Sequence, residues 1–192
     1  MKILKSLLSW MSWILFGIIS SYSISIAIVV AMVASLFSYS NLRKGFILEW
    51  TTLIFFITCF VFIVIFQNEF FAKYMDIFIG ITLTSIASLS LLIKRPFTEQ
   101  YAKLEVPKEY WKSFLFLRVN KIMTIVFSLL FLLKTLMSVY DFYYPEAFNF
   151  SLIFWPLLCL QCIFIQKFPN WYKKRHIRKS QISQREAKEL LP

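Results

Sequence analysis

Glycine appears only three times in 192 residues, histidine once and acidic residues ten times. Each scarcity removes a class of chemistry. Phosphate-cradling loops need several glycines so that the backbone can approach the ligand, and three scattered ones cannot build them. A metal centre needs several converging ligands. The single histidine, His176, stands among Lys173, Lys174 and Arg175 and reads as a solvated tail residue. There is no nucleophile elbow and no metal-binding helix motif. The cysteines are Cys59, Cys159 and Cys162, all inside apolar runs, and an odd count of that kind builds no disulfide scaffold. Cys159-Leu160-Gln161-Cys162 has the spacing of a redox pair, but no strand precedes it, and two small hydrophobes on a packing face is the simpler reading. The expectation is therefore a protein that is not an enzyme, with no cofactor and no metal. Scarce glycine also argues against glycine-mediated close helix crossings as the main packing device.

What is present is apolar. Hydrophobic residues make up 59% of the chain and charged residues 16%, against about 45–50% and about 25% in soluble domains. That excess is too large for one buried core, and the 22 phenylalanines suit lipid contact or packing between helices. A membrane-spanning helix needs about 20 apolar residues, and backbone facing lipid must satisfy its own hydrogen bonds. Such runs lie near 47–66, 73–93, 121–142 and 149–167. The stretch from Ile3 to Tyr39 is too long for one span. The polar patch Ser20-Ser21-Tyr22-Ser23 near its middle predicts a helical hairpin with spans near 4–19 and 24–40; the alternative is an amphipathic start and one span near 13–38. No small-x-small cleavage site follows the basic start, so the N-terminus reads as retained. The expected fold is an all-α polytopic bundle of six transmembrane helices, or five on the alternative, occupying 1–167, with a basic tail over 168–192.

The net charge of +11 raises nucleic-acid binding, but no recognition motif accompanies it, and its distribution points to lipid. With six spans and the N-terminus inside, the basic residues fall in 1–5, 41–46, 94–121 and 167–192, leaving only Lys73 and Lys134 elsewhere. That one-sidedness follows the positive-inside rule and predicts both termini in the cytoplasm of a bacterial inner membrane. The five-span alternative moves only Lys2 and Lys5 outside. The partners expected are the bilayer, including anionic lipids, and other envelope membrane proteins, with no nucleic acid. Lys173, Lys174, Arg175, Arg178 and Lys179 form a polybasic run beside the last span, each attracted to anionic headgroups by about 1 kcal/mol.

The long connection between spans carries an amphipathic elbow at 96–115. Pro96 suits a first helical turn, Phe97, Tyr101 and Leu104 share one face, and Pro107 ends the helix. The elbow is expected to lie on the inner membrane surface. Inside the fifth span, Lys134 would cost about 2.5–3.5 kcal/mol if left facing lipid. It is expected either to pair with Asp76 at similar depth, or with Asp141 two turns along its own face, or to snorkel outward along its stem. Glu49 reads as an acid at a helix N-terminus, favoured by the dipole, with Arg43, Lys44 or the elbow as the other partners in reach.

Several segments resemble the intracellular septation protein A family of small bacterial inner-membrane proteins. The likeness lies in Ile26-Ala27-Ile28-Val29-Val30-Ala31 running to Ser38-Tyr39 and a basic turn at Arg43-Lys44, and in Gln67-Asn68-Glu69-Phe70-Phe71-Ala72-Lys73 before the next span. It continues in Val106-Pro107, Trp111 and Asn120 before the following one. Pro96-Phe97-Thr98, Gln100, Tyr101 and Ala102 also resemble a motif of related small membrane proteins. The likeness covers roughly residues 13–142; a further span and the basic tail are additions. It implies a non-enzymatic protein of cell-envelope or septation organisation, without catalytic residues to carry over. A small-solute or ion transporter or channel subunit using Lys134 with Asp76 or Asp141 is the alternative function.

Overall fold

The computed structural model describes residues 2–144, 157, 160, 161, 163–165 and 167–178, with side chains from Trp10 onward. Among these residues every regular element is helical. Helices α1 (Lys2–Ile19) and α2 (Ile24–Leu36) form a hairpin. Its turn sits on the polar patch: the Ile19 carbonyl accepts from the N–H groups of Tyr22 and Ser23. The Ser23 hydroxyl then accepts from Ile26 N–H and caps α2, satisfying one of the donors a helix start leaves open. The short α3 (Tyr39–Arg43) follows, and α4 (Ile47–Cys59) widens into a π-helical turn over Phe60–Ile65. Beyond it lie α5 (Glu69–Lys73), α6 (Met75–Leu92), α7 (Phe97–Ala102), a single 3-10 turn (Lys108–Tyr110) and α8 (Phe114–Tyr143).

Three of the described helices are long and apolar enough to cross a membrane: Ile47–Ile65, Met75–Leu92 and Phe114–Tyr143. Trp10–Ile19 and Ile24–Leu36 are shorter apolar helices; the 13 residues of α2 rise about 20 Å, less than the roughly 30 Å of a hydrocarbon core. The sixth expected span, near 149–167, falls mostly outside the described residues, as do Cys159, Cys162 and Lys179.

Two features refine the expectations. The most extensive helix–helix packing, α6 along α8, has a single glycine at a close approach. A Cβ on Gly80 would stand 2.5 Å from Thr135 Oγ1 and 2.9 Å from Thr135 Cα. One and two turns on, Thr84 Oγ1 meets Thr135 Oγ1 at 3.2 Å and Ser88 Oγ meets Ser128 Oγ at 2.8 Å. Gly80, Thr84 and Ser88 recur every fourth residue, so one glycine and two hydroxyls make a small-residue stripe of the kind that lets membrane helices approach. The second feature concerns the elbow. Rather than resting on a surface, α7 turns Phe97 (2% exposed) into the core, where it meets Phe127 edge-on at 5.3 Å. Leu104, on the same predicted face, is exposed, as are Tyr110 and Phe114 further along the segment.

Aromatic contacts tie α1 into the core. Trp10 of α1 stacks on Phe127 of α8 at 5.8 Å, and Phe16 and Trp13 of α1 close on Phe56 of α4 at 5.6 and 5.0 Å. Trp13 Nε1 also donates to Thr52 Oγ1 at 2.9 Å, so the polar edge of the indole is satisfied inside the apolar contact.

Candidate functional site

Basic turns mark one end of the bundle. Arg43 ends α3 and Lys44 follows it, and Lys94 and Arg95 lie between α6 and α7. Beneath them four elements converge on a polar knot. Glu49 lies in the first turn of α4 and is 3% exposed. Its Oε1 accepts from Asn41 Nδ2 of α3 at 2.9 Å and its Oε2 from the Tyr101 hydroxyl of α7 at 2.6 Å. One carboxyl oxygen is therefore held by the Asn41 amide and the other by the Tyr101 hydroxyl. Beside it Gln100 Oε1 accepts from Ile47 N–H at 3.0 Å, capping α4 from another element because Phe46 at the N-cap has no oxygen to offer. Trp50 Nε1 donates to the Leu42 carbonyl at 3.0 Å, fixing α3 to α4.

The other side of α7 faces α8. Thr98 Oγ1 donates to the Asn120 carbonyl at 2.9 Å and lies 2.8 Å from Thr124 Oγ1. Since a hydroxyl has one proton, Thr124 donates in that second pair. Asn120 Nδ2 in turn donates to the Phe116 carbonyl at 2.8 Å, and Phe97 N–H donates to Ser90 Oγ of α6 at 3.2 Å. Thus Phe97 engages α6, Thr98 engages α8, and Gln100 and Tyr101 engage the first turn of α4, and α7 acts as a bolt through the basic end of the bundle. Thr98→Val, which keeps the shape and removes the hydroxyl, should lower stability by about 1–2 kcal/mol, read from thermal unfolding in micelles. An unchanged midpoint would show that the Thr98–Thr124 pair contributes nothing to the bolt.

At the opposite end Lys134 Nζ donates to Ser138 Oγ at 3.0 Å, one turn along α8, and stands 4.0 Å from Asp76 Oδ1 in the first turn of α6. The Asp76 side chain is 79% exposed and that of Lys134 15%. At this separation, with one partner in the open, the pair is worth well under about 1 kcal/mol wherever water reaches it. Asp141 is half-buried two turns along α8. An aromatic collar surrounds this end: Tyr74 stacks on Phe142 at 4.6 Å and Lys73 lies over the same ring at 5.1 Å.

In the tail, residues 167–178 are helical, and Lys173, Lys174, Arg175 and Arg178 are exposed. Arg175 stacks over Trp171 at 5.2 Å. Among the described residues no group of histidine, cysteine or carboxylate side chains could hold a metal ion.

For Glu49 the sequence offers the helix dipole first and the elbow as another partner; the structure pairs it with Tyr101 of the elbow and with Asn41. Its phenolic partner is 52 residues away. The usable signal was the coincidence of three polar side chains, Thr98, Gln100 and Tyr101, in a six-residue helix between two apolar spans. Compared with family models, curated proteins and solved structures, the chain matches none.

Proposed function

We propose that the chain is a non-enzymatic, multi-pass protein of a bacterial cytoplasmic (inner) membrane that organises the cell envelope or septum through protein and lipid contacts. The observation that carries this reading is the α7 bolt. Thr98, Gln100 and Tyr101 of α7 are engaged with α4 and α8, so α7 is a fixed support for the rest of the connecting segment. What it offers outward is an aromatic and basic loop: Tyr110 (58% exposed) and Phe114 (63%), flanked by Lys108 and Lys112. Exposed aromatics beside cations suit headgroup-level contacts and partner helices. The resemblance to the intracellular septation protein A family supports the envelope role. Six spans with both termini in the cytoplasm follow from the charge distribution, counting α1, α2 and the run near 149–167 as spans.

Orientation is tested by cysteine labelling from outside intact cells on a cysteine-free background. Probes at Ser21, Asn68 and Glu146 should react, and probes at Lys2, Lys108 and Ser180 should not. Reaction at Lys2 without Ser21 means five spans. The role is tested in cells lacking the protein: septum placement or cell length should change and be restored by the wild type, but not by Tyr110→Ser/Phe114→Ser. A transporter or channel subunit is the second reading, and it draws on the approach of Lys134 to Asp76. Normal morphology with altered accumulation of an ion or small solute, sensitive to Lys134→Met, would establish it instead.

A further inference from the structure

An open groove of about 330 Å³ runs between α4 and α6, lined among others by Ile47 and Thr51 on one side and Ile81, Ser85, Leu89 and Ile93 on the other. Two of its four lining hydroxyls are turned to their own helices: Thr51 Oγ1 donates to the Ile47 carbonyl at 2.8 Å and Ser90 Oγ to the Ala87 carbonyl at 2.8 Å. The surface left to an occupant is mostly hydrocarbon, with Thr82 and Ser85 as its remaining polar residues. From Ile81 to Ile93 the groove follows α6 for about 18 Å, close to the depth of one leaflet of a roughly 30 Å hydrocarbon core.

The chain leaves this lining, at both of its walls, through cationic turns. Ile93 is followed directly by Lys94 and Arg95, and Ile47 is preceded by Arg43 and Lys44; all four cations are exposed. Among the described residues none of the four forms an ion pair with a carboxylate. The nearby Glu99 is instead engaged by Lys103 at 2.5 Å. Matching helix ends present the cations. Gly45 N–H reaches the Leu42 carbonyl and Phe46 N–H that of Asn41, while Lys94 N–H reaches the Leu91 carbonyl and Arg95 N–H that of Ser90. Both are Schellman endings, with Gly45 at φ +72° and Lys94 at φ +57°. At the second, a lysine occupies the left-handed position where glycine is favoured.

We propose that the α4–α6 groove holds one acyl chain of an anionic phospholipid, with its phosphate headgroup held by Arg43, Lys44, Lys94 and Arg95 at these turns. The apolar lining accepts the chain, and the unpaired cations accept the charge. This site is distinct from the polybasic run Lys173-Lys174-Arg175 of the tail. It requires only that the helices sit in a membrane and is independent of the envelope role, so an unchanged cell phenotype bears on that role and not on the lipid site.

The test is native mass spectrometry of the full chain, with phosphatidylglycerol or phosphatidylcholine of the same acyl chains titrated into the micelles. Four cations at about 1 kcal/mol each allow a large preference, so phosphatidylglycerol should bind at least about thirtyfold tighter. Lys94→Gly/Arg95→Gln removes two charges while leaving the turn a residue that favours its backbone, and should weaken phosphatidylglycerol about thirtyfold. Ser85→Phe, which fills the groove from an exposed position, should weaken both lipids. Short-chain phosphatidylglycerol should bind more weakly than the long-chain form to the unmodified protein, a comparison that needs no variant. Equal binding of the two headgroups, indifference to acyl length, or loss through Lys173→Gln/Lys174→Gln/Arg175→Gln instead of Lys94→Gly/Arg95→Gln would each overturn the assignment.

Discussion

Gly80→Val will destabilise the protein by about 3 kcal/mol, and Gly80→Ala will also destabilise it although alanine is the better helix former. Two effects oppose each other in the alanine variant. Helix propensity favours alanine over glycine by about 1 kcal/mol. Against it, the new Cβ would meet Thr135 Oγ1 at 2.5 Å and Thr135 Cα at 2.9 Å, and a real methyl group does not sit so close to backbone. Rotating Thr135 away does not solve the clash with Cα, and its hydroxyl is engaged with the Phe131 carbonyl at 2.8 Å and with Thr84. The helices must separate, which loosens the Thr84–Thr135 and Ser88–Ser128 contacts further along the stripe. Overpacking of this kind costs about 1–3 kcal/mol, so the clash outweighs propensity, and the larger, branched valine makes it worse. Thermal unfolding in micelles reads the sign directly. Thr135→Ala in the Gly80→Ala background removes the nearest atom but not Cα, so it should restore only part of the loss. A rise in the midpoint of Gly80→Ala alone would mean that α6 and α8 do not cross this closely.

That crossing also shows which kind of information in a membrane sequence reports on packing. Counting glycines is a statement about composition, whereas close approach depends on spacing, and Gly80, Thr84 and Ser88 stand one turn apart on one face of α6. The spacing is visible in the chain; the partner on α8 is not, because Thr135 and Ser128 look like any hydroxyls in an apolar run. The hairpin turn was legible for a local reason. Ser20 to Ser23 interrupt an apolar stretch, and Ser23 caps the helix that follows. Helical character and the three long apolar helices followed from run length alone. The π-helical turn over Phe60–Ile65 left no such mark, since its residues are as apolar as their neighbours. For α7 the period was legible but not the direction. Phe97, Tyr101 and Leu104 share a face whether that face meets lipid or protein. The clue to the inward orientation lies in the polar residues, because Thr98, Gln100 and Tyr101 each find a buried or backbone partner only when α7 is inserted into the bundle.

The other large effect concerns the carboxylate beneath that helix. Glu49→Ala should cost about 3–5 kcal/mol, in the range for removing one member of a buried polar cluster that includes a charge. The Asn41 amide and the Tyr101 hydroxyl both lose the oxygen they bond at 2.9 and 2.6 Å, and losing a hydrogen bond at a position only 3% exposed is costly. Glu49→Gln is expected to cost much less, about 1 kcal/mol. Its Oε1 still accepts from Asn41, and its amide can donate to the Tyr101 oxygen if that hydroxyl turns. Tyr101→Phe isolates the α7 side: it removes one donor to a charged acceptor and should cost about 1.5–3 kcal/mol. A readout specific to the bolt is trypsin cleavage at Lys103, Lys108 and Lys112, which the docked α7 restrains. Cleavage should accelerate in the order wild type, Glu49→Gln, Tyr101→Phe, Glu49→Ala, while Lys134→Met at the far end leaves it unchanged. If Glu49→Ala unfolds at the wild-type temperature and is cut no faster, the carboxylate is not what fastens α7. The rigid presentation of Tyr110 and Phe114, on which the proposed contact surface depends, would then need another support.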